Sequence, residues 1–238
     1  MRPLLALFLV GCTTVSEPFR ETVDADGFSV LSVETERGNL VYGVGSDEQF
    51  VIDGTSIGRG GGASGAASRE AGNSWVVQPT APELRVEAQS DFARGAVDFD
   101  IRGPSLLDVD LTTFDGSVTA SEVEGEHNLV GGRIQTVRLR GSATVASEFG
   151  GVDIELYPFT DGFLDLTATG GDVVVRLPYG GNYDVEIVGD PEHDMYVTEL
   201  GFGASVAQPG YFSGIVGDGS IRVRIQAQGG SVELVEAF

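Results

Sequence analysis

Three aspartates in one short stretch are the residues of this sequence best suited to bind a metal ion. Asp108, Asp110 and Asp115 supply carboxylate oxygens, which are the ligands that calcium prefers. Asp108 and Asp110 are two residues apart on a predicted strand and therefore share one face. Their spacing matches neither the EF-hand loop nor the Gly-Gly-x-Gly-x-Asp repeat of calcium-binding β-rolls. Because 36 of the 238 residues are acidic, such pairs arise by chance, and we predict neither a metal site nor a cofactor.

The residues that commonly carry catalysis are few. His127 and His193 stand among acidic residues in segments that resemble loops, a setting typical of solvated histidines. The chain contains no His-Glu-x-x-His zinc motif. Glycoside cleavage needs two carboxylates at a fixed separation, usually in a groove with aromatic walls, and Trp75 is the single tryptophan. We therefore predict that the protein is not an enzyme, with a carbohydrate-binding or carbohydrate-cleaving β-helix as the alternative.

The cysteine at position 12 offers a different chemistry, acylation of its thiol. One arginine, a short apolar run over residues 4–10 and the small residue Gly11 precede Cys12, which is the layout of a secretory signal. The apolar run is too short to cross a bilayer core of about 30 Å. The sequence Leu9-Val10-Gly11-Cys12 resembles the lipobox of bacterial lipoproteins, in which the chain is cut before the cysteine and the sulfur receives a diacylglyceryl group.

This resemblance predicts the organisation of the N-terminal part of the chain. Residues 1–11 form a lipoprotein signal peptide that is cut between Gly11 and Cys12, and residues 12–26 form an acylated cysteine followed by a polar tether. The membrane is then a partner of the protein through the lipid on Cys12. Thr13 stands where an inner-membrane retention signal usually has Asp. We expect a lipid-anchored cell-envelope protein, in the outer membrane if the source is Gram-negative.

The charge of the chain restricts its other partners. The formal net charge is −22, every basic residue is an arginine, and removal of Arg2 with the signal brings the mature chain to −23. Nucleic-acid binding depends on basic residues that neutralise phosphates, so we predict no nucleic-acid partner. The acidity is consistent with a salty habitat, with genome composition or with cation binding.

Short runs of alternating polarity fill the chain from about residue 28 to its end. Residues 97–101, 173–177 and 221–225 place an apolar side chain at every second position, which predicts strands with one buried face. We predict an all-β fold with one domain over residues 27–238. The segment 58–72 is rich in Gly, Ala and Ser and is interpreted as a glycine-rich loop within that domain.

A repeat of Gly, one variable residue and a β-branched residue opens many of these strands. It occurs at Gly116, Gly132, Gly171, Gly219 and Gly230, and the glycines at 132, 141, 151 and 171 are separated by 9, 10 and 20 residues. Glycine tolerates the positive φ of a tight corner, and stacked repeats share one continuous core. The pattern favours a single-stranded β-helix, or β-solenoid, over the alternative of an antiparallel β-sandwich.

The order of these motifs resembles one family. Residues 97–104 (VDFDIRGP), 166–178 (LTATGGDVVVRLP) and 217–221 (GDGSI) are similar to the β-strand-repeat domain called "putative adhesin" in bacterial envelope proteins. The resemblance implies a β-helix without catalytic residues, and it implies an adhesin or surface scaffold whose partner is an envelope protein or a glycan. An accessory module of an envelope-stress pathway is a further alternative, since fold alone does not establish function.

Overall fold

The computed structural model describes residues 13–90, 94–198 and 200–237, and over them the chain is all-β with one short helix. In chain order the elements are β1 Thr13–Asp24, β2 Val30–Arg37, β3 Leu40–Val44, β4 Gln49–Gly60, α1 Ala63–Glu70, β5 Ser74–Thr80, β6 Glu83–Gln89, β7 Gly95–Gly103, β8 Asp108–Asp115, β9 Ser117–Ser121, β10 Glu124–Gly131, β11 Arg133–Val137, β12 Leu139–Ser147, β13 Val152–Tyr157, β14 Phe163–Thr169, β15 Val173–Leu177, β16 Tyr183–Val188, β17 Met195–Val197, β18 Ala204–Gln208, β19 Tyr211–Ile215, β20 Ile221–Gln228 and β21 Val232–Glu236. Among the described residues, no helix is long and apolar enough to span a membrane.

The alternation predicted for the strands is confirmed in their burial. In β15, Val173, Val175 and Leu177 are fully buried, while Val174 and Arg176 on the other face are half-buried. The same period of two runs along β7 and β20. The inward side chains of all these strands join one hydrophobic cluster that extends from Ala25 to Leu234. Burial of this apolar surface is the main stabilising contribution to the fold.

The strands form two sheets whose central parts are parallel. The first sheet has the order β1-β4-β7-β3-β9-β11-β13-β15-β21-β17. The second has the order β5-β6-β2-β8-β10-β12-β14-β20-β16-β19-β18. From β8 to β15 consecutive strands alternate between the two sheets, so each strand pairs with the strand two places away in the chain.

Antiparallel pairing is confined to the ends of the two sheets. It joins β1, β4 and β7 at one end, together with β5 and β6, and it joins β16, β19 and β18 at the other. A wholly antiparallel β-sandwich, the alternative considered from the sequence, does not have the parallel ladders between these ends. Hairpins need short turns, whereas parallel neighbours need a crossover, and here the strand in the opposite sheet provides that crossover.

The predicted polar tether is wrong for residues 13–24, which form β1. This strand pairs along its whole length with β4, from Thr13 opposite Gly60 to Asp24 opposite Gln49. Phe19 stacks on Trp75 with ring centroids 3.9 Å apart. A side chain at Gly54 of β4 would overlap the Phe19 ring, so that glycine makes room for it. The polar residues of the segment therefore belong to the exposed face of an edge strand.

The glycine-rich loop predicted over 58–72 is also corrected. Residues 58–60 are the end of β4, and residues Ala63–Glu70 form α1. A Cβ at Gly60 would lie 2.6 Å from the Ala66 nitrogen, and Ala66 is fully buried. The glycines are thus small because a helix packs directly against their strand. Asn73 then fixes the end of this excursion by donating from Nδ2 to the carbonyl oxygens of Ile57 and Ala96, each at 3.0 Å.

The glycine repeat marks one corner at which the chain passes between the sheets. Gly116, Gly132, Gly150, Gly171 and Gly230 lie in a stack, because a Cβ on each would meet the backbone of a glycine in a neighbouring repeat. Gly171 combines this close approach with a φ of +127°, a conformation that residues with a Cβ rarely adopt. The stack includes Gly150 rather than Gly151, although the residues that resemble the repeat there, Gly151-Val152-Asp153-Ile154, begin at Gly151.

Residues that directly follow corner glycines form hydrogen bonds with one another between neighbouring segments. The Asp172 carboxylate accepts hydrogen bonds from the Ser231 backbone nitrogen at 2.9 Å and hydroxyl at 2.7 Å. The Asn39 side-chain oxygen likewise accepts from the Ser117 nitrogen and hydroxyl. Because two hydrogen bonds to Ser231 favour the charged form, the pKa of Asp172 is lowered. Part of the acidic content is therefore used to tie one repeat to the next.

Candidate functional site

The three aspartates considered for calcium are not brought together. Asp108 and Asp110 lie on the outward face of β8, as the sequence predicts. Asp115 ends the same strand, about 20 Å away at the usual rise per residue, and pairs with Arg37 at 3.6 Å. Asp110 accepts a hydrogen bond from the Asn128 amide at 3.0 Å, and Asp108 accepts one from the Glu126 nitrogen at 2.7 Å. In the described part of the chain, no group of three or more His, Cys, Asp or Glu is placed to hold a metal ion.

The predicted signal-cleavage and lipidation residues, Gly11 and Cys12, lie outside the described residues. The described chain starts at Thr13, the first residue of β1. Acylation of Cys12 therefore stays a prediction from the sequence.

His127 is not the solvated loop histidine that the sequence predicts. It lies on β10 and only 3% of its surface is exposed. Its strand partners Val109 and Ala143 place it in an inward-facing row. Nε2 lies 3.1 Å from the Arg140 carbonyl oxygen, so Nε2 carries the proton and donates it. Nδ1 is buried and has no hydrogen-bond partner among the described residues.

Burial governs the protonation of His127. Loss of solvation disfavours the imidazolium and lowers the pKa of His127, against a smaller opposing effect of the Arg140 carbonyl and the Asp108 carboxylate. The side chain is thus neutral and structural in the folded protein. His193, by contrast, is in an exposed turn beside Asp190, with Nδ1 3.2 Å from the carboxylate, and the loop interpretation of that residue is confirmed.

We expect a pH-dependent loss of stability that originates at His127. Its pKa is lower in the folded state than the ordinary value near 6.5, so below about pH 6.5 the unfolded chain binds a proton that the folded chain does not. The free energy of unfolding therefore falls as the pH drops through that value. Melting temperatures between pH 8 and pH 5 should fall less steeply for His127→Gln than for wild type. Parallel curves for the two proteins would contradict this assignment.

A groove on the second sheet places an aromatic side chain beside carboxylates. Phe114, which is 69% exposed, lines it together with Glu34, Glu36 and Glu87. Its volume is about 210 Å³. Glu34 lies directly opposite Glu87 in the parallel pair of β2 and β6. Glu87 is neutralised by Arg85 at 2.5 Å, and Glu36 accepts from the Ser90 nitrogen at 3.3 Å.

The sequence analysis did not single out Phe114, although a signal for it exists. Val109, Leu111 and Thr113 alternate inward along β8, so Phe114 occupies a position whose parity points to solvent. A large aromatic residue at an outward position is a candidate for an interaction surface where other exposed apolar residues lie near it. Alternation therefore identifies Phe114 once the strand is assigned.

A second exposed aromatic lies on the same edge of the molecule. Phe149 is 83% exposed and directly precedes Gly150 of the corner stack. Phe114 stands two residues before Gly116 of the same stack. The two repeats are separated by one intervening repeat, which contains Gly132. At the usual spacing of neighbouring strands, Gly116 and Gly150 are about 10 Å apart along the stack. We call the pair of Phe114 and Phe149 the aromatic edge.

Comparison with known proteins gives structural neighbours only. No family model matches the chain, and no curated protein matches its sequence. Its structure is similar to that of a "putative cell adhesion protein" from Clostridium sporogenes, with a TM-score of 0.48 and 12% identity, over 94% of this chain and 100% of the other. It is also similar to a "putative adhesin" from Bacteroides fragilis, with a TM-score of 0.33 and 11% identity, over 92% of this chain and 97% of the other.

Proposed function

We propose that this protein is a non-catalytic, lipid-anchored cell-envelope protein that acts as an adhesin or surface scaffold. The observation that carries the proposal is the aromatic edge of Phe114 and Phe149, exposed on a support whose core is continuous from end to end. Exposed aromatic residues on a rigid frame contribute binding energy at a small cost in conformational entropy. The partner is an envelope protein or a glycan.

We also propose that the chain forms a single-stranded β-solenoid. Two features support it: strands β8 to β15 alternate between two parallel sheets, and a glycine stack runs along one corner. A solenoid presents long, shallow surfaces rather than one deep pocket. The exposed turns at its corners, where Phe149 lies, are the natural positions for contacts with a partner.

Lipid anchoring is supported by the sequence Leu9-Val10-Gly11-Cys12 after an apolar run. We expect Cys12→Ser to move the protein almost completely from the membrane fraction to the soluble fraction, because the apolar run is too short to span a bilayer and no acyl chain holds the variant. Fractionation of cells in 1 M salt, where a Debye length of about 3 Å screens electrostatic contacts with lipid headgroups, followed by immunodetection measures this. A Ser variant that stays on the membrane like wild type would disprove the anchor and, with it, the proposed outer-membrane location.

A second function, carbohydrate binding, is favoured by the groove at Phe114. Sugars bind where an aromatic face meets hydrogen-bonding carboxylates, and Glu34, Glu36 and Glu87 supply such groups around the Phe114 ring. The proposed ligand is a neutral or cationic glycan, since the chain carries a net charge of −22 and repels polyanions.

One adherence experiment tests the aromatic edge and separates these two functions. Cells that display Phe114→Ser/Phe149→Ser should adhere at least about fivefold less than wild type, because two exposed aromatic anchors are lost. The matched control, Tyr179→Ser/Tyr196→Ser, removes two exposed aromatics outside the aromatic edge and should adhere normally. Competition by a soluble glycan would assign carbohydrate binding, whereas equal adherence of all strains would reject the edge as the binding surface.

A further inference from the structure

Three arginines line one groove of this acidic protein. Arg37, at the end of β2, Arg59, near the end of β4, and Arg94, just before β7, surround a cavity of about 380 Å³. Gly58 pairs with Gly95 in the antiparallel ladder of β4 and β7, so Arg59 and Arg94 lie at the same end of that ladder. The volume is within the range of small-ligand sites, about 300–1,000 Å³.

The charges of this groove differ from those of the rest of the molecule. Arg59 and Arg94 are exposed and form no ion pair with any residue that the structure describes, whereas most other arginines are paired with a carboxylate. Two carboxylates also line the groove. Asp115 is 3.6 Å from Arg37, and Asp98 accepts hydrogen bonds from the Asn39 nitrogen and amide. Three arginines against two aspartates leave a local positive charge within a chain of net charge −22.

The groove lies beside the start of β1. Thr14 pairs with Arg59 and Thr13 pairs with Gly60, and Cys12 is one peptide bond before Thr13. Residues 13–24 form a strand of the domain, so Cys12 directly precedes the described domain along the chain. Two residues of extended chain span at most about 7 Å, so Arg59 is close to the point at which a lipid on Cys12 would enter the bilayer.

We propose that the groove of Arg37, Arg59 and Arg94 binds the phosphate of an anionic lipid headgroup and so holds the anchored domain against the membrane in one orientation. Guanidinium groups donate paired hydrogen bonds to phosphate oxygens. The remaining acidic surface is repelled by the same membrane, so only this end of the domain approaches it. This inference rests on the proposed lipid anchor for its biological setting, while the phosphate site itself does not need the lipid.

The test uses the full chain with Cys12→Ser, so that the result is independent of acylation. Its partition is measured by co-sedimentation with vesicles of phosphatidylcholine containing phosphatidylglycerol, and with vesicles of phosphatidylcholine alone. At 0.1 M salt the Debye length is about 10 Å, which screens the distant acidic residues but not contacts within the groove. We expect partition onto the anionic vesicles only. Introducing Arg59→Gln/Arg94→Gln into the Cys12→Ser chain should weaken partition onto the anionic vesicles about 20-fold, since each arginine at such a surface contributes about a fivefold factor.

Arg138→Gln/Arg140→Gln is the matched control, because it removes the same charge from two exposed arginines that do not line the groove and should change partition less than about twofold. An equal loss in both double variants would assign the effect to overall charge and overturn the groove. Binding of inorganic phosphate by the Cys12→Ser chain without binding of vesicles would reassign the site to a free anion and overturn membrane docking. No binding in either arm would overturn the site itself. Failure of the lipid anchor is seen separately, in the fractionation of Cys12→Ser cells.

Discussion

Replacing Gly171 with Val is expected to lower the melting temperature by about 6–12 °C. A Cβ at this position would lie 2.6 Å from the Gly150 carbonyl carbon and 2.8 Å from the Gly151 nitrogen, and the backbone has a φ of +127°. Strain of this kind costs on the order of 1–3 kcal/mol, and the clash with a backbone that cannot rotate away brings the total to about 3 kcal/mol. In a domain of this size each kcal/mol shifts the melting temperature by about 2–4 °C.

Gly62→Val is the matched control for that substitution. Gly62 has an extended φ of 171°, and a Cβ there would meet nothing within 4 Å. Thermal melts followed by circular dichroism should therefore leave this variant within about 2 °C of wild type. Equal melting temperatures for the two variants would show that Gly171 is not held at a crowded corner, and the glycine stack would lose its support.

Truncating Phe19 to Ala is expected to detach β1 from the domain while the rest of the fold persists. Phe19 stacks on Trp75 with the ring planes 7° apart and contacts Phe99 edge-on, with centroids at 5.9 Å. Loss of this partly buried phenyl ring costs about 3 kcal/mol, which is large for an edge strand whose one paired neighbour among the described strands is β4. Amide exchange over residues 13–24 should accelerate at least about 50-fold, and Trp75 fluorescence should shift to the red as its ring gains solvent.

Phe149→Ala provides the comparison, because that ring is 83% exposed and its loss should leave amide exchange in β1 unchanged. Slow exchange over residues 13–24 in the Phe19→Ala protein would mean that the backbone pairing with β4 suffices to hold β1. In that case the stacked rings would not be the reason why this polar segment joins the sheet. Fast exchange in both variants would point to a loss of stability that is not specific to β1.

The inner strands could be predicted because their burial is decided within the strand itself. A period of two in polarity, as in β15 and β20, fixes which side chains point to the core wherever the strand is placed. Glycine at the corners is only partly a local feature. Gly171 has a positive φ, whereas the other corner glycines are needed because a Cβ would meet the backbone of a distant segment. The alternation of polarity is therefore the signal that predicts an all-β chain before any contact is known.

The candidate sites depended on contacts that the sequence does not display. His127 sits among acidic residues along the chain, yet on β10 it alternates with Leu129 and therefore points inward. Its assignment as a loop residue failed because chain neighbours on a strand face opposite sides. Asp108 and Asp115 fail as joint metal ligands for the opposite reason, since an extended strand moves residues of one short segment far apart.

By itself, the sequence determined the strand content and the inward faces of the core strands, since each follows from the preferences of one residue and its immediate neighbours. Only the tertiary structure decided that residues 13–24 are a strand, because their partners in β4 and the Trp75 ring are 25 to 56 residues away. It alone brought Arg37, Arg59 and Arg94 to one groove beside that strand. Such juxtapositions arise from pairing between distant segments, which carries no local pattern.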